Sequence, residues 1–60
     1  MNLERFLAIF PRNKRITVFD DCQRQLFRGP IWWLRSRYLL SSLVIDVYLD
    51  GYMLCVVVVN

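Results

Sequence analysis

The sequence predicts an α+β fold, with an N-terminal helix packed on a four-stranded antiparallel sheet, in an oligomeric protein. A helical stripe of apolar residues near the N-terminus and two pairs of strand-like segments joined by turn signals predict these elements. The chain has 60 residues, of which 57% are hydrophobic, so we expect a single domain over residues 1–60. A domain of this size buries only about 60% of the surface that its unfolded chain exposes. With two cysteines and no histidine, partner chains are the main remaining source of stability.

The first element is a short amphipathic helix. Its apolar residues recur with the spacing of one helical face, at Leu3, Phe6, Leu7 and Phe10. Asn2 is placed to cap the helix, because its side chain can accept a hydrogen bond from a free backbone N–H of the first turn. Pro11 disfavours a helical conformation at the residue before it, so we expect the helix to end there.

The middle of the chain is predicted to contain a hairpin and a short helix. Residues 15–19 and 24–28 are rich in β-branched and aromatic side chains and flank the turn residues Asp20 and Asp21. Gly29 and Pro30 end the second strand. Between them and the serines at 41 and 42, we expect a short helix over residues 33–40.

The last third of the chain predicts a second hairpin. Residues 43–49 and 52–59 flank Asp50-Gly51, a pair typical of a type I′ turn, which would pair Leu49 with Tyr52. One face of this hairpin is then wholly apolar, and the other is mostly apolar around Asp46. One helix cannot cover both faces, so the second face is the predicted interface of a dimer or tetramer. Its residues are Val44, Tyr48, Met53, Cys55, Val57 and Val59. The copies would pack face to face, or pair edge to edge through the valine-rich last strand.

Positive charge is concentrated before Leu43, where eight basic residues stand against three acidic ones. Seven of the eight are arginines, whose planar guanidinium groups bind phosphates with two hydrogen bonds and stack on rings. The predicted DNA contacts interleave such groups with aromatic rings and are Arg28, Trp32, Trp33, Arg35 and Arg37. The alternative is that the two tryptophans anchor the core or a subunit interface, and that the arginines form an ordinary solvated surface.

The adjacent acids Asp20 and Asp21 are the candidate catalytic residues and metal ligands. Hydrolysis of a phosphodiester usually needs carboxylates that hold Mg²⁺ or another divalent cation, because the ion activates water and neutralises the leaving oxygen. The alternative is that both side chains only satisfy backbone amides of the turn. Neither cysteine has a histidine that could make it a catalytic nucleophile.

Several punctuating features follow one another in a recognisable order. They are a helix ending at Pro11, a strand ending at Asp20-Asp21, a strand running into Phe27-Arg28-Gly29-Pro30, a connection through Tyr38-Leu39-Leu40, and strands joined by Asp50-Gly51. This order resembles a family of very small gut-phage proteins that includes an anti-CRISPR protein with a coactivator-like single-stranded-DNA-binding fold. The resemblance implies an oligomer that nicks supercoiled DNA, relieves its torsion and indirectly protects a plasmid from a CRISPR nuclease. By position, Asp20 matches the acidic residue implicated in nicking in that family.

Two other classes of function remain open on the sequence. The first is a non-enzymatic inhibitor that uses Trp32 and Trp33 as a binding hot spot on a host defence protein. The second is a structural phage component that binds only itself. Asp46 and Asp50 interrupt the apolar stretch at 38–59 and argue against a membrane span. The N-terminus does not have the pattern of a signal peptide, so the expected location is the cytoplasm of the host cell.

Overall fold

The computed structural model describes all 60 residues and contains one four-stranded sheet with short helices on one side. The elements are α1 (Leu3–Leu7), β1 (Arg15–Phe19), β2 (Gln25–Pro30), a 3₁₀ turn (Ile31–Trp33), α2 (Arg37–Leu40), β3 (Leu43–Asp50) and β4 (Met53–Val59). The α+β class predicted from the sequence is confirmed. None of the helices has the length and apolar character that crossing a membrane requires.

The sheet is mixed, so the prediction of a wholly antiparallel sheet is wrong. The strand order is β2-β1-β4-β3, and the two hairpins meet through a parallel pairing of β1 with β4 that places Ile16 opposite Leu54. The alternative in which the last strand lies at an edge and pairs with a second copy is also wrong. A run of valines has no polar side and suits a strand inside a sheet, and β4 is paired on both of its edges.

The core lies between the sheet and the layer of helices and turns. Asn2 caps α1 as predicted, since its side-chain oxygen accepts a hydrogen bond from the backbone N–H of Arg5 at 2.9 Å. The helix is shorter than predicted: it ends at Leu7, whereas the apolar stripe predicted an end at Phe10. Nine buried apolar residues form the core: Leu3, Leu7, Ile31 and Leu34 from the covering layer, and Ile16, Val18, Leu54, Val56 and Val58 from the sheet.

The turn between β3 and β4 is displaced from its predicted position. Asp50 pairs with Met53 and Leu49 pairs with Leu54, so the two loop residues are Gly51 and Tyr52. Gly51 has a φ of +63° at the first loop position, as in a type II′ turn, so the predicted type I′ turn at Asp50-Gly51 is wrong. The pairing has moved by two residues, and because side chains alternate with a period of two, most face assignments are unchanged.

A β-bulge at Ile45 changes the face on which β3 begins. Val44 pairs with Val58 and Asp46 pairs with Val57, so Ile45 has no partner on β4. The extra residue reverses the alternation before it. Val44 consequently packs against the core, and its predicted place on the second face is wrong.

The other side of the sheet carries no helix, and we call it the open face. Its side chains come from all four strands: Arg28 from β2, Arg15, Thr17 and Phe19 from β1, Met53, Cys55, Val57 and Val59 from β4, and Leu43, Ile45, Asp46, Tyr48 and Asp50 from β3. Thr17 and Cys55, at its centre, are buried by their neighbours, while Tyr48 and Leu43 are exposed. Five of the six residues predicted for the subunit interface lie on this face.

Candidate functional site

The two tryptophans are held at the surface by the 3₁₀ turn that follows β2. About half of each side chain is exposed, 49% for Trp32 and 53% for Trp33. The rings meet edge to face with their centroids 5.7 Å apart. The backbone N–H of Trp32 donates to the carbonyl oxygen of Arg12 at 3.0 Å, and that of Ile31 donates to the carbonyl oxygen of Lys14 at 2.9 Å. These bonds fix the turn to the segment after α1, so the exposed rings stand on a well-anchored backbone.

Trp33 packs on the backbone of Gly29. A Cβ atom at Gly29 would lie 2.7 Å from Cε3 of the Trp33 ring, closer than any side chain could tolerate. Gly29 also has a φ of +152°, which favours glycine. The position therefore needs glycine for two reasons, and the Trp33 indole has one face against the protein while its exposed part faces solvent.

A groove of about 580 Å³ lies between α1 and the segment that contains the 3₁₀ turn and α2. We call it the arginine groove. Its floor is apolar and formed by Leu7, Ala8, Phe10, Ile31, Leu34 and Leu40. Its rim carries Arg12, Arg35, Arg37 and Glu4. The sequence reasoning missed Arg12, although its position directly after Pro11, where the predicted helix ends, placed it close to the turn that carries the indoles.

The arginines of this groove differ in how far they are neutralised. Arg37 donates from both terminal nitrogens to the two carboxylate oxygens of Glu4, at 3.1 and 3.2 Å. Arg12 and Arg35 form no ion pair. Of the predicted DNA contacts, Arg35 and Arg37 thus line the groove, Arg37 with its charge already paired, whereas Trp32 and Trp33 project from the 3₁₀ turn beside it.

Arg28, the fifth predicted DNA contact, lies elsewhere. Its neighbour Phe27 packs against the core, and side chains alternate along a strand. Arg28 is exposed and projects from the other side of the sheet, opposite Thr17. It cannot share a contact surface with the indoles unless the nucleic acid passes around the edge of the sheet.

The side chain of Asp20 organises the loop between β1 and β2. One carboxylate oxygen accepts the backbone N–H groups of Cys22 and Arg24, both at 2.9 Å, and the other accepts Nε–H of Arg24 at 3.1 Å. The hydrogen bond from the Arg24 backbone, followed by those from its side chain and from Cys22, lowers the pKa of Asp20 below its usual 3.8 against an opposing effect of burial. The same loop holds Gln23 at a φ of +65°.

Asp20 and Asp21, the predicted metal ligands, lie beside Cys22 in the structure. Their ligand atoms lie within 4.8 Å of one another. Mg²⁺ prefers oxygen ligands in octahedral geometry, whereas the thiol is a soft ligand that suits other metals. The Asp20 oxygens are also occupied by three N–H donors. These residues therefore fit Mg²⁺ poorly, and metal-assisted hydrolysis at Asp20 and Asp21 stays a prediction from the sequence.

A second hollow, of about 550 Å³, opens on the open face beside this loop. Asp20, Asp21 and Asp46 line it together with Phe19, Gln23, Ile45, Tyr48 and Val57. Tyr48 has a raised pKa, mainly because burial disfavours the phenolate and also because Cys55, Asp50 and Asp46 lie near. These three aspartates therefore lie together at the open face, away from the arginine groove.

The geometry thus separates an aromatic and cationic surface on the helical side from an apolar surface with acidic residues on the other. Neither the protein-family models, nor the curated proteins, nor the solved structures gave a match to this chain.

Proposed function

We propose that this is an oligomeric DNA-binding protein whose contact surface is the arginine groove together with Trp32 and Trp33. The observation that carries the proposal is that two half-exposed indoles project from the 3₁₀ turn whose first residue, Ile31, lines a groove with two arginines, Arg12 and Arg35, that have no acidic partner. Aromatic rings provide stacking platforms for bases, and unpaired guanidinium groups bind phosphates.

Single-stranded DNA suits this surface better than a duplex. Each stacked base contributes about 1–3 kcal/mol and requires an unpaired base with a free ring face. The indoles project from a short turn and not from a long helix, which is the element that usually enters the major groove of a duplex. We therefore expect a preference for single strands and little dependence on base sequence.

Fluorescence anisotropy with a labelled single-stranded oligonucleotide tests the proposal. Trp32→Ala should weaken binding about tenfold because a stacking platform is lost. Arg35→Ala should weaken it and should also reduce the salt dependence of the dissociation constant by about one phosphate contact. Arg24→Ala removes the same charge from the distant loop after β1 and is the matched control, for which we expect unchanged binding.

Absence of salt-dependent binding by the wild-type protein would refute the DNA proposal. In that event, the exposed indoles would favour the alternative class, a non-enzymatic inhibitor of a host defence protein. Trp32→Ala would then abolish capture of that protein while leaving the oligomer intact.

The nicking activity implied by the phage-family resemblance requires its own test. An open-circular product from supercoiled plasmid incubated with the protein and Mg²⁺, suppressed by EDTA, would support metal-assisted nicking. Asp21→Asn is the decisive variant, because the Asp21 carboxylate is not used by the loop, whereas Asp20→Asn also alters the loop. Unchanged nicking by Asp21→Asn would remove this residue from the proposed catalytic pair. We propose the host-cell cytoplasm as the site of action, where the unpaired Cys22 and Cys55 would stay reduced.

A further inference from the structure

The charges of the open face are separated across the width of the sheet. Arg28 lies on the edge strand β2, and Asp46 and Asp50 lie on the opposite edge strand β3. Between these two edges, β1 and β4 supply a surface that is apolar or neutral, except for Arg15 at the start of β1 and the loop of Asp20 and Asp21 at its end. The face therefore has a basic edge, an apolar centre and an acidic edge.

The strand registers place these groups in rows. One row runs from Arg28 through Thr17 and Cys55 to Tyr48. Along β3, Asp46 and Asp50 lie on either side of Tyr48, at the two neighbouring positions of the same face. The aromatic ring at the acidic edge therefore stands at the same height as the arginine at the basic edge, with a carboxylate above and below it.

We propose that the open face binds the open face of a second copy of this chain, with the two-fold axis parallel to the strands. This axis places β2 of each subunit over β3 of the other and keeps the rows at equal height. Arg28 then lies over Tyr48 of the partner subunit, between the partner's Asp46 and the partner's Asp50. A guanidinium group in that position gains two carboxylates and the face of an aromatic ring.

Charge complementarity selects this axis over the other simple choice. A two-fold axis perpendicular to the strands would place β2 over β2 and β3 over β3. With the axis at the height of Arg28, this residue would meet its own copy, and Asp46 would face the partner's Asp50. Like charges facing each other across an interface cost several kcal/mol, whereas the proposed arrangement brings Arg28 to opposite charges.

The β3 edge of the sheet is less suited to pairing with a second chain than the open face. On β3, the carboxylate of Asp46 accepts the backbone N–H of Val47 at 2.9 Å. The N–H of Val44 donates to the carbonyl of Met1 at 3.0 Å. Two donors that could extend the sheet into a second chain are thereby occupied. The valine-rich β4 is inside the sheet and offers no free edge.

The centre of the face supplies apolar surface for the dimer. Four apolar residues of this centre are only partly buried in one subunit: Phe19, Met53, Val57 and Val59. Two sheets packed face to face lie about 10 Å apart and cover such residues on both sides. This inference deepens the oligomer of the proposed function and does not depend on DNA binding, since the arginine groove lies on the outer side of each subunit.

Sedimentation equilibrium without DNA tests the arrangement. The wild-type protein should form a dimer. Arg28→Asp and Asp46→Arg should each weaken dimerisation about a hundredfold, because like charges then meet at both symmetry-related contacts. An equimolar mixture of the two variants should dimerise much more tightly than either variant alone, since residues 28 and 46 then carry opposite charges at both symmetry-related contacts. Arg35→Asp is the matched control on the helical side and should not change the dimer.

Several results would overturn the inference. They are a monomeric wild-type protein, a single variant that dimerises normally, or a mixture that stays monomeric while circular dichroism shows both variants folded. A wild-type dimer that binds no oligonucleotide would refute the DNA contact but not this interface. A wild-type monomer that binds the oligonucleotide would refute the interface but not the DNA contact.

Discussion

The two sides of the sheet use the same strands for different purposes. On the helical side, the apolar residues of β1 and β4 are covered by α1 and by the segment after β2, with Leu3 and Val56 fully buried. On the open side, the alternate residues of the same strands, such as Val57 and Met53, remain partly exposed. The chain has enough helix for one layer only, so half of its sheet is completed within the subunit and half is left available.

Charge follows the same division. On the helical side, Arg12 and Arg35 have no acidic partner, which suits an anionic ligand brought from outside. On the open side, Arg28 and the acidic residues of β3 balance each other across one surface, which suits a second copy of the same surface. Net charge alone, +3 for the chain, therefore does not indicate a binding partner unless the charges are assigned to faces.

The largest difference between the two sides is expected when one leucine on each side is truncated to alanine. Leu3→Ala should lower the free energy of unfolding by about 3 kcal/mol, because Leu3 is fully buried and the helix cannot refill the cavity. Leu43→Ala, at a residue that is 54% exposed on the open side, should cost less than about 1 kcal/mol. Urea denaturation of both variants checks the difference. Equal losses would mean that the open side is already covered within the subunit.

A smaller effect is expected at the two glycines with positive φ angles. Gly29→Ala should cost about 2 kcal/mol and change the tryptophan emission spectrum, since the new methyl group would displace the Trp33 ring. Gly51→Ala is the matched control: a Cβ atom there would have no neighbour within 4 Å, so only the φ of +63° is strained. It should cost about 1 kcal/mol and leave the emission unchanged. An unaltered spectrum in Gly29→Ala would contradict the packing of Trp33 on that backbone.

The smallest effect concerns the loop of Asp20, at the end of the sheet. Because the pKa of Asp20 is lowered on folding, its contribution to stability is present above its unfolded pKa and is lost as the pH falls through the folded value. The melting temperature of the wild-type protein should therefore fall below about pH 4. Asp20→Asn should flatten that fall while sparing DNA binding, since the loop lies outside the arginine groove. A pH profile identical to that of the wild type would show that the charge of Asp20 is immaterial to the loop.

Local features of the fold could be predicted from the sequence because their causes are local. The Asn2 cap and the hairpin at Asp20 depend on side chains within four residues of the groups they satisfy. The alternation along β4 identified Leu54, Val56 and Val58 as core residues for the same reason. The displacement of the turn by two residues did not change which side of the sheet each β4 residue faces. The single bulge at Ile45, in contrast, moved Val44 to the side opposite the predicted one.

The features that could not be predicted depend on contacts between distant segments. The order of the two hairpins in the sheet depends on which strand of each hairpin pairs with the other hairpin. No local sequence feature of either hairpin indicates that β1 pairs with β4. The ion pair of Arg37 with Glu4 joins residues that are 33 positions apart. It removed one arginine from the predicted DNA surface, while the close approach of Arg12 to the 3₁₀ turn added another.

The parallel pairing at the centre of the sheet also affects the order and rate of folding. Val18 pairs with Val56, 38 positions later in the chain, and a two-stranded hairpin is only marginally stable by itself. The chain entropy of closing that long connection is lost before the contacts of the core repay it. We expect both hairpins to form early and their docking to limit the folding rate. Because β4 is the last strand and lies in the middle of the sheet, no stable core can form on the ribosome until β4 has emerged.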